Sequence, residues 1–133
     1  MSYLLDTNAW IVYLKGRNTA VRSRLEQTPR SEVKTCSIIW AELLHGARKY
    51  EDPSKRQARI ESLLNPLENF HFDLEAAIQY AIIRDGLEKK GMTIGLNDIF
   101  IASIALVHDL TVVTNNTNEF LRVPGLRVED WTM

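Results

Sequence analysis

The chain has 133 residues, of which 45% are hydrophobic, 25% charged and 8% aromatic, the composition of one ordinary globular domain with no room for a second. At this length about two-thirds of the unfolded surface can be buried, so a core needs neither disulfides nor a structural metal. The lone Cys36 excludes an intrachain disulfide, the histidines at 45, 71 and 108 offer no zinc-finger spacing, and a net charge of −1 excludes a histone-like nonspecific nucleic-acid binder.

The charge is nonetheless divided. Lys15 to Arg59 holds eleven basic residues against five acidic ones, while the remainder holds five against twelve. A single domain with that split can set a basic rim beside an acidic centre. The opening MSYLLDTNAW meets Asp6 before any long apolar stretch, unlike a signal peptide, and no apolar run reaches membrane-spanning length. A reducing, cytoplasmic setting is expected, with no membrane partner.

Short apolar runs alternate with longer helical patterns, which predicts an α/β domain over residues 1–133 with a short, mostly parallel central sheet flanked by helices. Tyr3 to Leu5 reads as a strand ending at Asp6, then Ala9 to Leu14 as a helix stopped by Gly16. Val21 and Leu25 lie four apart on a basic helix closed by Pro29 and Ser31, before a second strand from Val33 to Cys36. Ser37 is expected to cap a helix from Ile38 to about Lys49. Pro53 opens the next helix, which carries Ile60, Leu63 and Leu64 up to Pro66.

Phe70 to Phe72 is a short strand candidate, and Asp73 caps a long helix ended by Gly91. Leu74, Ile78, Ala81 and Ile82 form an apolar stripe there, expected to face the core. The helix from Asn97 to His108 reads IFIASIALV after Asp98, apolar on every side, and should be buried. Thr111 to Thr114 is a β-branched central strand with Asn115 and Asn116 at its exit, Arg127 and Val128 form a last short strand, and Trp131 packs back on the body.

In an open parallel sheet, ligands bind beyond the carboxyl ends of the strands. Asp6 and Asn116 both fall there, and Asp98, in the first turn of a buried helix, faces the same crevice because its charge would be costly deeper in. Glu42, within SIIWAELL, borders the apolar face of its helix. Taken singly, each acid has an ordinary explanation: helix cap, dipole partner or surface charge. Together they predict one acidic pocket whose mutual repulsion calls for a hard divalent cation, Mg2+ or Mn2+. Such an ion ionises a water and supports in-line attack on phosphorus, the chemistry of phosphodiester hydrolysis. The basic stretch, with Arg22 and Arg24, is expected to hold the polyanionic substrate over the acids.

The residues also resemble a family. LLDTN at Leu4 to Asn8, WAELLHGA at Trp40 to Ala47, IGLNDIFIAS at Ile94 to Ser103 and TNNTNEF at Thr114 to Phe120, followed by VPGLRVEDW, are together similar to the motifs of the PIN domain, in particular the VapC-type ribonuclease toxins. The resemblance spans nearly the whole chain and implies a PIN-like fold with Asp6, Glu42 and Asp98 catalytic. Asp6 and Asp98 are then direct metal ligands, Glu42 is a ligand or held through water, and Thr7, Thr114 and Asn116 are supporting groups. Where many PIN domains carry a fourth acid this chain has Asn116, with Glu119 the candidate substitute one turn on.

The resemblance further implies a cytoplasmic endoribonuclease cutting structured RNA such as tRNA, a homodimer, and a VapB-type antitoxin that itself binds operator DNA. The principal alternative is a PIN-like module that binds protein or RNA without cutting it. A phosphoaspartate enzyme is disfavoured because Asn8 stands where a haloacid-dehalogenase-type pattern requires a second Asp.

Overall fold

The computed structural model describes residues 1–133. Five strands, β1 Tyr3–Leu5, β2 Val33–Cys36, β3 Glu68–Phe70, β4 Thr111–Val113 and β5 Val128–Glu129, form one sheet in the order β3-β2-β1-β4-β5. Every pairing is parallel. The helices are α1 Thr7–Lys15, α2 Thr19–Gln27, α3 Ser37–Ala47, α4 Pro53–Leu64, α5 Leu74–Lys89, α6 Leu96–Val107 and α7 Thr117–Phe120, with a 3-10 turn at Arg30–Glu32. None is long and apolar enough to cross a membrane.

The strand order reverses between β1 and β4, because the chain steps from β1 outward through β2 to β3 and then returns to the far side of β1. Sheets of this kind open a crevice at the reversal, beyond the carboxyl ends of the two strands. Asp6 follows β1 there and donates its N–H to the Val113 carbonyl at 3.0 Å, which ties the two strand ends together.

The core follows from these short strands being buried on both faces. Leu4, Leu5, Val112 and Val113 are essentially inaccessible, and they join α1, α3, α4 and α6 in one apolar cluster of 29 residues. Each such side chain contributes about 1.5–3 kcal/mol of burial. Helix α6 is buried along most of its length, as its continuous apolar sequence requires. Its Phe100 stacks on Tyr80 of α5 at 4.6 Å and meets Phe72 edge-on at 4.8 Å. Gly16 stops α1 in the left-handed conformation with φ 71° and donates its N–H to the Tyr13 carbonyl. Trp131 packs back on the body, 2% exposed, with its ring edge-on to Tyr3.

Several expectations are corrected. Ser37 is the first helical residue of α3 rather than its cap; β2 runs into the helix with no intervening loop, so the cap falls on extended Cys36, which makes no side-chain capping bond. β3 lies two residues earlier than Phe70 to Phe72, paired with Lys34, Thr35 and Cys36. The stripe of α5 expected in the core faces solvent: Leu74, Ile78 and Ile82 are 77%, 54% and 61% exposed. The helix buries Ala76, Ile83 and Leu87 instead. Both sets have helical spacing, and the one with the small Ala76 permits close approach to α6.

Candidate active site

Asp6 occupies the single residue between β1 and α1 and is 3% exposed. Its Oδ1 accepts from the Ala9 N–H at 2.8 Å, capping α1, and its Oδ2 accepts from the Thr114 hydroxyl at 2.5 Å. The Thr114 hydroxyl in turn accepts from the Asn116 N–H at 2.8 Å. Burial outweighs these bonds and the favourable helix terminus, and Glu42 and Asp130 add repulsion, so the Asp6 carboxyl is pushed up to about 6.

Glu42 comes from the middle of α3 and is fixed at both oxygens. Thr7 Oγ1 donates to Oε1 at 2.6 Å and Asn97 Nδ2 to Oε2 at 3.0 Å. Asp98 stands in the first turn of α6, half-buried. Desolvation first, then a hydrogen bond and repulsion from Glu119, then the charges of Asp6 and Glu42, push its carboxyl up to about 8. Glu119, on α7, is held below the usual range by that bond from Asp98 and by donation from Asn116 Nδ2 to its Oε2 at 2.9 Å. The Asp98 and Glu119 carboxyls therefore titrate as a pair, with ionisation of Asp98 disfavoured and that of Glu119 favoured.

The structure therefore brings Asp6, Glu42, Asp98, Thr7, Thr114, Asn116 and Glu119 together from five segments of the chain. Glu119, rather than Asn116, supplies a fourth carboxylate, and Asn116 orients it. Asn97, which holds Glu42, and Asp130, whose charge reaches Asp6, are additions to the predicted set. Asn97 had a signal in its adjacency to Asp98; Asp130 had none, because β5 alone carries it to the crevice. A depression over the acids is lined by Asn8, Glu42, Gly95, Leu96, Asn97 and Asp98.

Arg22 and Arg24 do not line that depression. Arg22 Nη2 donates to the Gly16 carbonyl at 3.0 Å. Arg24 pairs with Glu129 at 3.0 Å and lies 4.9 Å over the Trp131 ring. Both guanidinium groups are engaged in holding α2 to its neighbours. Cys36 is buried with its thiol pushed up to about 11, which removes it as a nucleophile.

The donor set fits a hard cation in its chemistry: carboxylate oxygens, no thiolate, and buried acids that repel one another, so that ionisation of Asp6 and Asp98 is disfavoured without a counter-charge. It is not preassembled, since no trio of acidic, histidine or cysteine side chains is clustered tightly enough to hold an ion without rearrangement. The internal hydrogen bonds just described occupy the oxygens that would bind it.

Comparison with known proteins gives the same answer. The PIN domain family model matches residues 3–126. The tRNA(fMet)-specific endonuclease VapC of Salmonella typhimurium is 38% identical over 131 residues, covering 98% of each chain. The Ribonuclease VapC2 of Haemophilus influenzae is 39% identical with the same coverage. Among solved structures, that of DNA-bound VapBC from Salmonella typhimurium superposes with a TM-score of 0.91 at 38% identity, covering 98% of both chains. With a parallel sheet reversing at β1 and β4, acids at that reversal and matches along its whole length, this chain belongs to the PIN-domain family, among the VapC-type ribonucleases.

Proposed function

We propose that the protein is the endoribonuclease toxin of a VapBC-type toxin–antitoxin pair and hydrolyses RNA phosphodiester bonds with Mg2+ or Mn2+. The observation that carries this reading is the convergence of Asp6, Glu42 and Asp98 from β1, α3 and α6, close enough that the charge of Glu42 bears on both aspartates and that of Asp6 on Asp98. Asp6 and Asp98 are the residues to hold the cation, with Glu42 beside them. The chemistry such a cation would supply is a more acidic, oriented water and charge stabilisation at the phosphate.

The chain's own groups do the rest. Thr7 and Asn97 lock the Glu42 carboxylate in one orientation, and Thr114 and the Ala9 N–H do the same for Asp6. Fixed in this way, the two carboxylates keep an orientation that bulk water would otherwise randomise. Glu119, oriented by Asn116, holds the Asp98 carboxyl in place. The substrate is structured RNA, tRNA included, as the name of the Salmonella relative suggests.

The VapBC complexes among the structural relatives support a VapB-type antitoxin as partner, with operator DNA reached only through it, in the cytoplasm. A homodimer is supported by the exposed stripe Leu74, Ile78 and Ile82 on α5, with Glu75 near one end and Lys89 at the other. Two such helices laid antiparallel about a two-fold axis bring each acid to the other's lysine.

Purified protein freed of antitoxin, incubated with total tRNA and Mg2+ or Mn2+, is expected to cut. Cleavage must stop with chelator and be lost in Asp6→Asn. Intact RNA under all these conditions would leave the non-cutting binding module as the better reading.

A further inference from the structure

We infer that a second depression beside the active site, built on Tyr50 and Arg56, receives an unpaired base and an adjoining phosphate of single-stranded RNA; this rests on the ribonuclease reading above. Glu42 lies between two concavities. On one side is the acidic depression with Asn97 and Asp98. On the other, Ile11, Gly46, Ala47, Tyr50 and Arg56 line a narrow trough between α1, α3 and α4. Tyr50 and Arg56 also line the next depression along, together with Glu51, Asp52, Lys55 and Arg59, so the trough and this net-basic hollow share an edge.

The patch has the parts that an unpaired nucleotide requires. Tyr50 is 46% exposed, and the Arg56 guanidinium lies 4.3 Å over its ring. Neither Lys55 nor Arg56 takes part in a salt bridge. Of the two nearby acids, Asp52 is occupied in capping α4 through the Lys55 N–H. An aromatic ring backed by a guanidinium, with free cations at its edge, stacks a base on its open face and neutralises a phosphate beside it. Duplex RNA keeps its bases from such a ring, which favours a splayed single strand.

The spacing fits. Glu42, Gly46 and Tyr50 follow one another at four-residue intervals along α3 and the turn after it, about 12 Å at 1.5 Å per residue, or roughly three to four stacked nucleotides. Gly46 forms the floor between them, and a Cβ built there meets nothing within 4 Å, so the trough is open at the point a strand must cross. The patch lies within the basic part of the sequence, and its free cations are Lys55 and Arg56, since Arg59 donates to the Leu14 carbonyl.

The test uses the full chain carrying Asp6→Asn, metal-free, with a fluorescein-labelled twelve-nucleotide single-stranded RNA of mixed sequence read by anisotropy. Lys55→Ala with Arg56→Ala should weaken binding at least tenfold and flatten the dependence of log affinity on log salt by about 0.7, the value for one phosphate contact. Tyr50→Leu should weaken it about fivefold to a hundredfold with the salt slope unchanged, and Tyr50→Phe should restore it. Gly46→Leu should fill the trough and weaken binding severalfold with the salt slope unchanged, and wild-type affinity in that variant counts against the strand crossing there. Circular dichroism verifies the fold of each variant.

Wild-type affinity in the Lys55/Arg56 and Tyr50 variants overturns the inference, as does a Tyr50→Leu loss that Phe does not repair. If those variants bind RNA normally but lose an acidic peptide segment, the patch is a protein-docking surface and the inference is equally wrong. Wild-type protein that cuts tRNA while the patch variants cut it equally well defeats this inference alone; wild-type protein that cuts nothing defeats the functional reading on which it rests.

Discussion

Replacing Asp6 by Asn should make the metal-free protein more stable while abolishing cleavage. The buried carboxyl titrates at about 6 against an ordinary 3.8. At 1.36 kcal/mol per pH unit, holding it ionised in the folded state costs about 3 kcal/mol above pH 7. An amide removes that cost and keeps the acceptor for the Ala9 N–H, while losing the bond from Thr114, worth about 1 kcal/mol beyond the charge effect already contained in that pKa.

The net gain is about 2 kcal/mol at pH 8, or about 7 °C in Tm for a chain of this length. The sign depends on pH. Because the folded-state pKa is raised, the native state holds more protons than the unfolded chain between about pH 4 and 6, and wild-type stability falls as pH rises through that window. Below pH 4 the carboxyl is protonated in both states and the advantage of the amide disappears. Urea denaturation followed by tryptophan fluorescence in chelator, at pH 4, 6 and 8, measures the gap. An Asp6→Asn protein no more stable than wild type at pH 8, or a gap that does not change with pH, refutes the reasoning.

Millimolar Mg2+ or Mn2+ at a hundred times its dissociation constant should stabilise wild type by about 2.7 kcal/mol, near 10 °C in Tm, and leave Asp6→Asn unmoved; scanning fluorimetry reads both. Cation affinity measured by calorimetry should rise from pH 6 to pH 8, as the carboxyls of Asp6 and Asp98 release their protons, and a flat profile contradicts the assignment of those ligands. Thr114→Val strips a donor from Asp6 and an acceptor from the Asn116 N–H, so it should cost about 1–3 kcal/mol in urea melts and at least tenfold in kcat. Ile82→Glu, on the exposed stripe of α5, should turn a dimer into a monomer by light scattering with an unchanged circular dichroism spectrum; an unchanged mass excludes that face.

Asp6 and Asp98 are legible in the sequence because each sits at an abrupt boundary, one ending a buried strand and the other opening a helix apolar all round. A carboxylate at such a boundary has only the crevice to face. Glu119 is harder to read, since its role depends on a bond to Asp98 across 21 residues of chain and on an Asn116 side chain turned toward it. Helix α7, with four residues, is too short to show a period. The buried face of α5 was ambiguous for the opposite reason: two apolar stripes share the helical period, and side-chain size against α6 chooses between them. Arg22 and Arg24 show the limit of counting charges, because a tally along the chain does not reveal which guanidinium is engaged internally.

The last strand ties the acidic crevice to the edge of the sheet. Thr114 donates its backbone N–H to the Glu129 carbonyl, so the residue that steadies Asp6 is itself clamped by β5. Whatever peels this two-residue strand away therefore loosens the Asp6 carboxyl as well, which couples order at the crevice to the docking of the most weakly held element of the sheet.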